Sequence, residues 1–224
     1  MGDVRQLIAP RFCTLQAPTP ESLERSLRAR AEGYCLATLA TGPFWTDHTQ
    51  DDVTYSVAHV QPTFLSYSIP AIAPTVSKPG RAAMTVKLRI VYSHHCFTRA
   101  LGKVPDANPA HHYNCTKRLN DPRVFCTIRW NESLALPGII AEMRSCYFTR
   151  HHNYFVWRSP TAVGEGEYFV YFRLTRRIGF VEIEIESAYP RRDAEQAKAG
   201  AQKVSFSTLI LNAANGLPTH RPPA

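Results

Sequence analysis

The sequence holds no apolar run near the roughly 20 residues that a membrane-spanning helix needs. Its opening stretch, residues 1–12, lacks the apolar segment of a secretory signal, and Gly2 is not followed by Ser or Thr at position 6. These absences lead to the expectation of a soluble, cytoplasmic protein with no membrane partner. Several catalytic signatures are missing as well. There is no G-x-x-x-x-G-K-[ST], G-x-G-x-x-G, G-x-S-x-G or H-E-x-x-H, and no C-x-x-C. The chain therefore offers no P-loop, dinucleotide fingerprint, nucleophile elbow, zincin helix or standard zinc-finger knuckle.

Acidic residues are outnumbered. Against 26 Lys and Arg stand 18 Asp and Glu, a formal net charge of +8. That balance favours a polyanionic partner, and the arginines suit phosphate because guanidinium forks match its oxygens. The expected partner is nucleic acid, RNA favoured, or else an acidic protein. The six cysteines are Cys13, Cys35, Cys96, Cys115, Cys126 and Cys146. In a cytosolic chain they are expected as free thiols or metal ligands rather than disulfides.

With 224 residues, 44% of them apolar, the chain can bury a core without covalent staples. Residues 1–18 read as an extended N-terminal arm, 19–211 as a single α+β domain and 212–224 as a flexible tail. Thr19 caps a helix begun by Pro20, with Leu23, Leu27 and Ala31 on one face and Gly33 as its stop. From Met84 to Tyr92 the chain alternates, Met84, Val86, Leu88, Ile90 and Tyr92 facing one way, as in a half-buried strand. Further strands are expected at Val53–Val60 and Phe64–Ile69 as a hairpin or bulge, at Arg123–Trp130, at Cys146–Arg150 and Tyr154–Arg158 as a hairpin, and at Val204–Leu211. Tyr168–Thr175 and Phe180–Ser187 flank the turn Arg176-Arg177-Ile178-Gly179, with Glu182, Glu184 and Glu186 outward and within reach of Arg173. Short helices are expected at Leu136–Met143 and Asp193–Gln202, and residues 99–122 as a proline-broken excursion. The fold class is α+β, a twisted antiparallel sheet with one N-terminal helix and short additional helices.

Three chemistries compete for the histidine-rich middle of the chain. The first is acid–base cleavage of RNA without a metal. His94, His95, His111 and His151 are the candidate proton carriers, because imidazole titrates near neutrality. Arg99, Arg129 and Arg150 would hold phosphate, Tyr154 and Trp157 would stack on bases, and Thr98 would orient a histidine or a phosphate oxygen. Neighbouring residues of a strand face opposite ways, so one member of each His pair is expected in the site. The second is a tetrahedral zinc site from His94, Cys96, His111 and Cys115. Zinc is the cofactor such a set would take; the acid–base reading needs none. The third makes Cys96 a nucleophile beside His94 and His95.

A helix followed by an antiparallel sheet that carries His and Arg is similar to small RNase toxins of the barnase and RelE kind. The likeness rests on the strands Val204–Leu211 and Tyr168–Ser187 and the cluster His94–Thr98. It implies metal-independent RNA cleavage. The alternative is a non-enzymatic basic binding or assembly subunit, zinc-stabilised if the ligand set forms.

Overall fold

The computed structural model describes residues 44–77, 79–104, 106–113, 120–149, 154–158 and 167–219, all within the compact unit Leu36–Ala224. The expected arm and the helix begun at Thr19 lie outside the described residues, as do Cys115, Arg150 and His151.

Among the described residues, twelve strands follow in chain order. β1 (His48–Gln50) and β2 (Val53–Tyr55) form a small hairpin. β3 (Thr63–Ile69) and β4 (Met84–Tyr92) are antiparallel neighbours. β5 (Thr98–Ala100), β6 (His112–Tyr113) and β7 (Arg123–Phe125) make a three-stranded sheet in the order β5-β7-β6. β8 (Ser145–Phe148), β9 (Tyr154–Arg158), β10 (Glu167–Arg177), β11 (Phe180–Arg191) and β12 (Lys203–Ser205) join β3 and β4 in the main sheet. Its order is β12-β8-β9-β10-β11-β4-β3. Every pairing in it is antiparallel except β11 on β4, which is parallel. Four short helices complete the described chain: α1 (Thr127–Ser133), α2 (Leu136–Ala141), α3 (Ala194–Lys198) and α4 (Phe206–Asn215). This is a mixed α+β architecture dominated by one large, mostly antiparallel sheet.

The alternation read in β4 is the alternation the fold uses. Val86, Leu88, Ile90 and Tyr92 are buried in the main core, while Thr85 and Lys87 are exposed. The hairpin of β10 and β11 turns at Ile178-Gly179, where Gly179 takes a positive φ of 81° that glycine adopts without strain. Arg173 pairs across the strands with Glu184 at 2.6 Å and lies 3.7 Å from Glu186. The register passes from Tyr171 opposite Ser187 to Phe172 opposite Ile185, so Glu186 is the extra residue of a β-bulge. The bulge changes the phase of β11: Val181, Ile183 and Ile185 point into the core before it, and Ala188 after it.

Two expected strands are corrected. Residues 123–130 alternate in sequence, but pairing ends at Phe125. The Cys126 amide bonds to the Phe97 carbonyl instead, and helix α1 starts at Thr127. Val204–Leu211 is a strand only at its start. Phe206, Leu209, Ile210 and Ala213 are its buried residues, which is the i, i+3, i+4, i+7 spacing of a helix. This helix, α4, runs to Asn215 and ends in a Schellman cap: Gly216 has φ 70°, and Leu217 N–H donates to the Asn212 carbonyl at 2.8 Å. The expected hairpin at 53–69 is also replaced. β2 stops at Tyr55, a 3₁₀ turn occupies Ala58–Val60, and β3 belongs to a different sheet. The Gln61 side chain fastens that turn, accepting from Trp45 N–H at 3.1 Å and donating to its carbonyl at 2.7 Å.

Candidate functional site

The end of β4 builds the site. Ser93 N–H donates to the Ile185 carbonyl of β11 at 2.8 Å, the last bond along this edge. The chain then tightens into a 3₁₀ turn over His94–Cys96, because the Ser93 hydroxyl accepts from His95 N–H and Cys96 N–H donates to the Ser93 carbonyl. Thr98 Oγ1 closes the turn by donating to the His94 carbonyl at 2.6 Å. Two side chains from β7 and α1 clamp it from outside. Arg129 Nη1 donates to the carbonyls of His95 at 3.0 Å and Thr98 at 2.9 Å. Arg123, buried, donates through Nε to Thr98 Oγ1 at 2.7 Å and through Nη2 to the Thr98 carbonyl at 3.3 Å.

The turn brings both histidines to one carboxylate. His95 Nε2 donates to Asp121 Oδ2 at 2.7 Å, and His94 Nε2 stands 3.4 Å from the same oxygen. The expectation that one histidine of the pair points away is corrected: successive residues of a 3₁₀ turn are about 120° apart, whereas those of a strand face opposite ways. His94 is buried against Trp45, ring centroids 5.4 Å apart. His95 and Asp121 each keep 37% of the side chain exposed and so meet solvent. The Arg123 guanidinium holds the other oxygen of Asp121 at 3.3 Å. The three ligand atoms of His94, His95 and Asp121 all lie within 4.8 Å of one another, a group that could hold a metal ion.

Charge sets the protonation of the pair. Burial lowers the His95 pKa from 6.5, and the neighbouring Arg123 and Arg129 lower it too, against the raising effect of Asp121. Burial alone would raise Asp121, but the hydrogen bond from His95 and the Arg123 cation outweigh it and hold the carboxyl below its usual range. His95 is therefore neutral at pH 7, with its Nε2 proton on Asp121 and its lone pair on Nδ1. Asp121→Asn removes the raising charge, so the His95 pKa falls further; an NMR titration of the His95 ring checks the direction. The sign for stability follows from the same shift. With a folded value below 6.5, the contribution of His95 is complete above pH 6.5 and is lost as the pH falls through that lower value.

The other residues expected in the site divide. Arg129 and Thr98 are in it. Arg99 sits exposed on β5, near enough to Arg129 to depress its basicity. His111 is elsewhere, 3.4 Å from Asp51 at the tip of the β1–β2 hairpin. Cys96 is fully buried and its thiol is pushed up to about 12, so it stays protonated at neutral pH and is not an activated nucleophile. The zinc set His94, Cys96, His111 and Cys115 is thus replaced among the described residues by His94, His95 and Asp121. Tyr154 is corrected as a stacking platform: it is buried in the main core, its hydroxyl donating to the Thr219 carbonyl.

Trp157 lies on the opposite face of the sheet, within a row of aromatics. Tyr147 and Trp157 stand 4.4 Å apart, Trp157 and Phe169 stack at 6.0 Å, Phe169 and Tyr171 at 6.2 Å, and Tyr171 and Tyr189 at 5.8 Å. Tyr189 shares this face because the bulge at Glu186 shifted the phase of β11. The Arg129 guanidinium lies 5.0 Å over the Tyr189 ring while it holds the His95 carbonyl, so the row is continuous with the histidine turn. Arg191 and Lys198 also lie over rings of the row, with Asp193, Glu167 and Glu195 as their ion-pair partners.

Asp121 and Arg123 are the site residues that sequence reasoning missed. One signal was present: Asp121 is the only acid between Asp106 and Glu132, and it stands next to a proline. A family model, that of the YjaZ family, matches residues 46–214. No curated protein and no solved structure matches the chain.

Proposed function

We propose that this chain, which belongs to the YjaZ family, acts on nucleic acid, RNA in the first place, and cleaves the phosphodiester backbone by proton transfer at His95. The observation that carries this reading is the half-exposed His95 held at 2.7 Å by Asp121 and flanked by two arginines. The stretch matched by the family contains all of these residues. A neutral imidazole with its Nε2 proton engaged presents Nδ1 as a base. It takes the proton of a ribose 2′-hydroxyl, whose oxygen attacks phosphorus; the bond to the 5′-oxygen breaks and the imidazolium returns the proton to that oxygen. The products are a 2′,3′-cyclic phosphate and a free 5′-hydroxyl. Arg129 supplies a cation beside the reacting phosphate. His94, being buried, positions Asp121 rather than touching substrate.

A second reading is favoured by the convergence of both Nε2 atoms on one carboxylate oxygen. Two histidines and a carboxylate suit zinc with an open position for water, and Arg123 would then orient the carboxylate from outside. Labelled single-stranded RNA incubated with the purified protein, with and without EDTA, separates the two. Cleavage that persists in EDTA and leaves cyclic phosphate ends is the expected result. Cleavage abolished by EDTA and restored by zinc assigns the metal reading. A salt-sensitive mobility shift without cleavage overturns both and leaves a basic binding subunit.

A further inference from the structure

Six large apolar residues are exposed among the described residues, and four of them, Ile72, Val76, Ile178 and Leu217, gather at one end of the main sheet. The topology places them there. β3 leaves the sheet at Ile69, opposite Met84, so loop 70–83 projects from the start of β4. β11 runs parallel to β4, so its first residues and the Ile178-Gly179 turn lie at that same end. Arg176 of the hairpin packs against Gly216, which brings Leu217 alongside. The histidine turn is at the opposite end, after Tyr92.

Ile72 and Leu217 serve the fold through their backbones, but the side chains of Val76 and Ile178 bury nothing. Two-residue hairpin turns take Asn, Asp or Gly. Here a β-branched apolar residue, Ile178, occupies the tip at 101% relative exposure, and Val76 stands at 111% in its loop. Single exposed aliphatics are ordinary, but two loop tips and a helix end converging on one side are not. The charge around them has one sign. Lys87, Arg176 and Arg177 are exposed and Arg81 is half-buried. The sequence has no acid between Asp52 and Asp106, and the nearby Glu182 is buried and engaged by Arg89 and Arg177.

We propose that this end of the sheet docks on an anionic phospholipid bilayer, with Val76, Ile72 and Ile178 entering the interfacial layer and Arg81, Lys87 and Arg176 meeting headgroup phosphates. Aliphatic tips on convex loops have no ring to stack on a base, so they suit a lipid boundary and not a nucleic acid. No described helix is long and apolar enough to cross a bilayer, and lying on one needs no such helix. The histidine turn would then face away from the surface.

Sedimentation of the full chain with vesicles tests this. The protein is expected to pellet with vesicles of phosphatidylcholine and phosphatidylserine and to stay in solution with phosphatidylcholine alone. The double variant V76D/I178D is expected to weaken partitioning by roughly tenfold or more, since each tip loses its apolar transfer. Its melting temperature should match the wild type, because both side chains are solvent-exposed. K87Q/R176Q should bind more weakly and lose salt sensitivity, and His95→Gln should bind as wild type. Failure to pellet with the mixed vesicles, or equal pelleting of V76D/I178D, overturns the proposal. So does a change of solution mass in V76D/I178D, which would place a second copy of the chain on these tips.

Discussion

Under the proposed RNase function, His95→Gln is expected to lower RNA cleavage by roughly 10²–10⁴-fold, the span of general acid–base contributions, while RNA affinity and melting temperature stay near the wild type. The glutamine amide still offers Asp121 an N–H, so the carboxylate keeps its partner and the turn keeps its shape. What disappears is a group that can gain and lose a proton near neutrality. The wild-type rate should fall on the acid side at a pH below 6.5, because burial and two arginines lower the His95 pKa. Asp121→Asn moves that limb to still lower pH. If the metal reading holds, His95→Gln instead empties the site, and elemental analysis of the purified variant shows the loss.

Arg123→Met lowers the unfolding free energy by about 3 kcal/mol, read as a lower urea midpoint at unchanged slope. Arg123 is buried and donates two hydrogen bonds to Thr98, each from the charged guanidinium. Such bonds are worth roughly 1.5–3 kcal/mol apiece, and truncation leaves the Thr98 carbonyl with Arg129 alone. The ion pair to Asp121 adds little, since that carboxylate is 37% exposed and screened by water. Lysine does not rescue, because an ammonium cannot reproduce the planar fork that meets hydroxyl and carbonyl together. The same substitution raises the His95 pKa by removing a nearby cation. Arg123→Met and Asp121→Asn therefore move His95 in opposite directions, which no general loosening of the fold would produce.

Period-2 alternation made β4 and the β10–β11 hairpin readable in the chain, and the Arg-Arg-Ile-Gly stretch marked the turn between them. His95, Arg129 and Thr98 were readable for a related reason: they follow or pack against that strand. Asp121 was not, because its bond to His95 spans 26 positions across a proline-broken stretch with no periodicity. The two misread strands share one cause. A short apolar run such as Phe206–Leu211 satisfies a helix and a strand alike, and only Gly216 beyond it resolves the choice. Tyr154 and Trp157 differ by an odd number of positions in one strand, so one strand could never offer both rings to one ligand.

The parallel seam between β4 and β11 has a kinetic meaning. Arg89 and Glu182, which meet across it, are 93 positions apart. Hairpin β10–β11 can close within microseconds, but the seam must wait for a long loop to close. Ser93 takes its anchor from Ile185 on the far side of that seam. The opening residue of the histidine turn therefore gains this anchor only once the seam forms, although it lies in the first half of the chain. A nascent chain carries His94 and His95 out of the ribosome long before it carries β11, and until β11 emerges the Ser93 amide that opens their turn lacks its Ile185 partner.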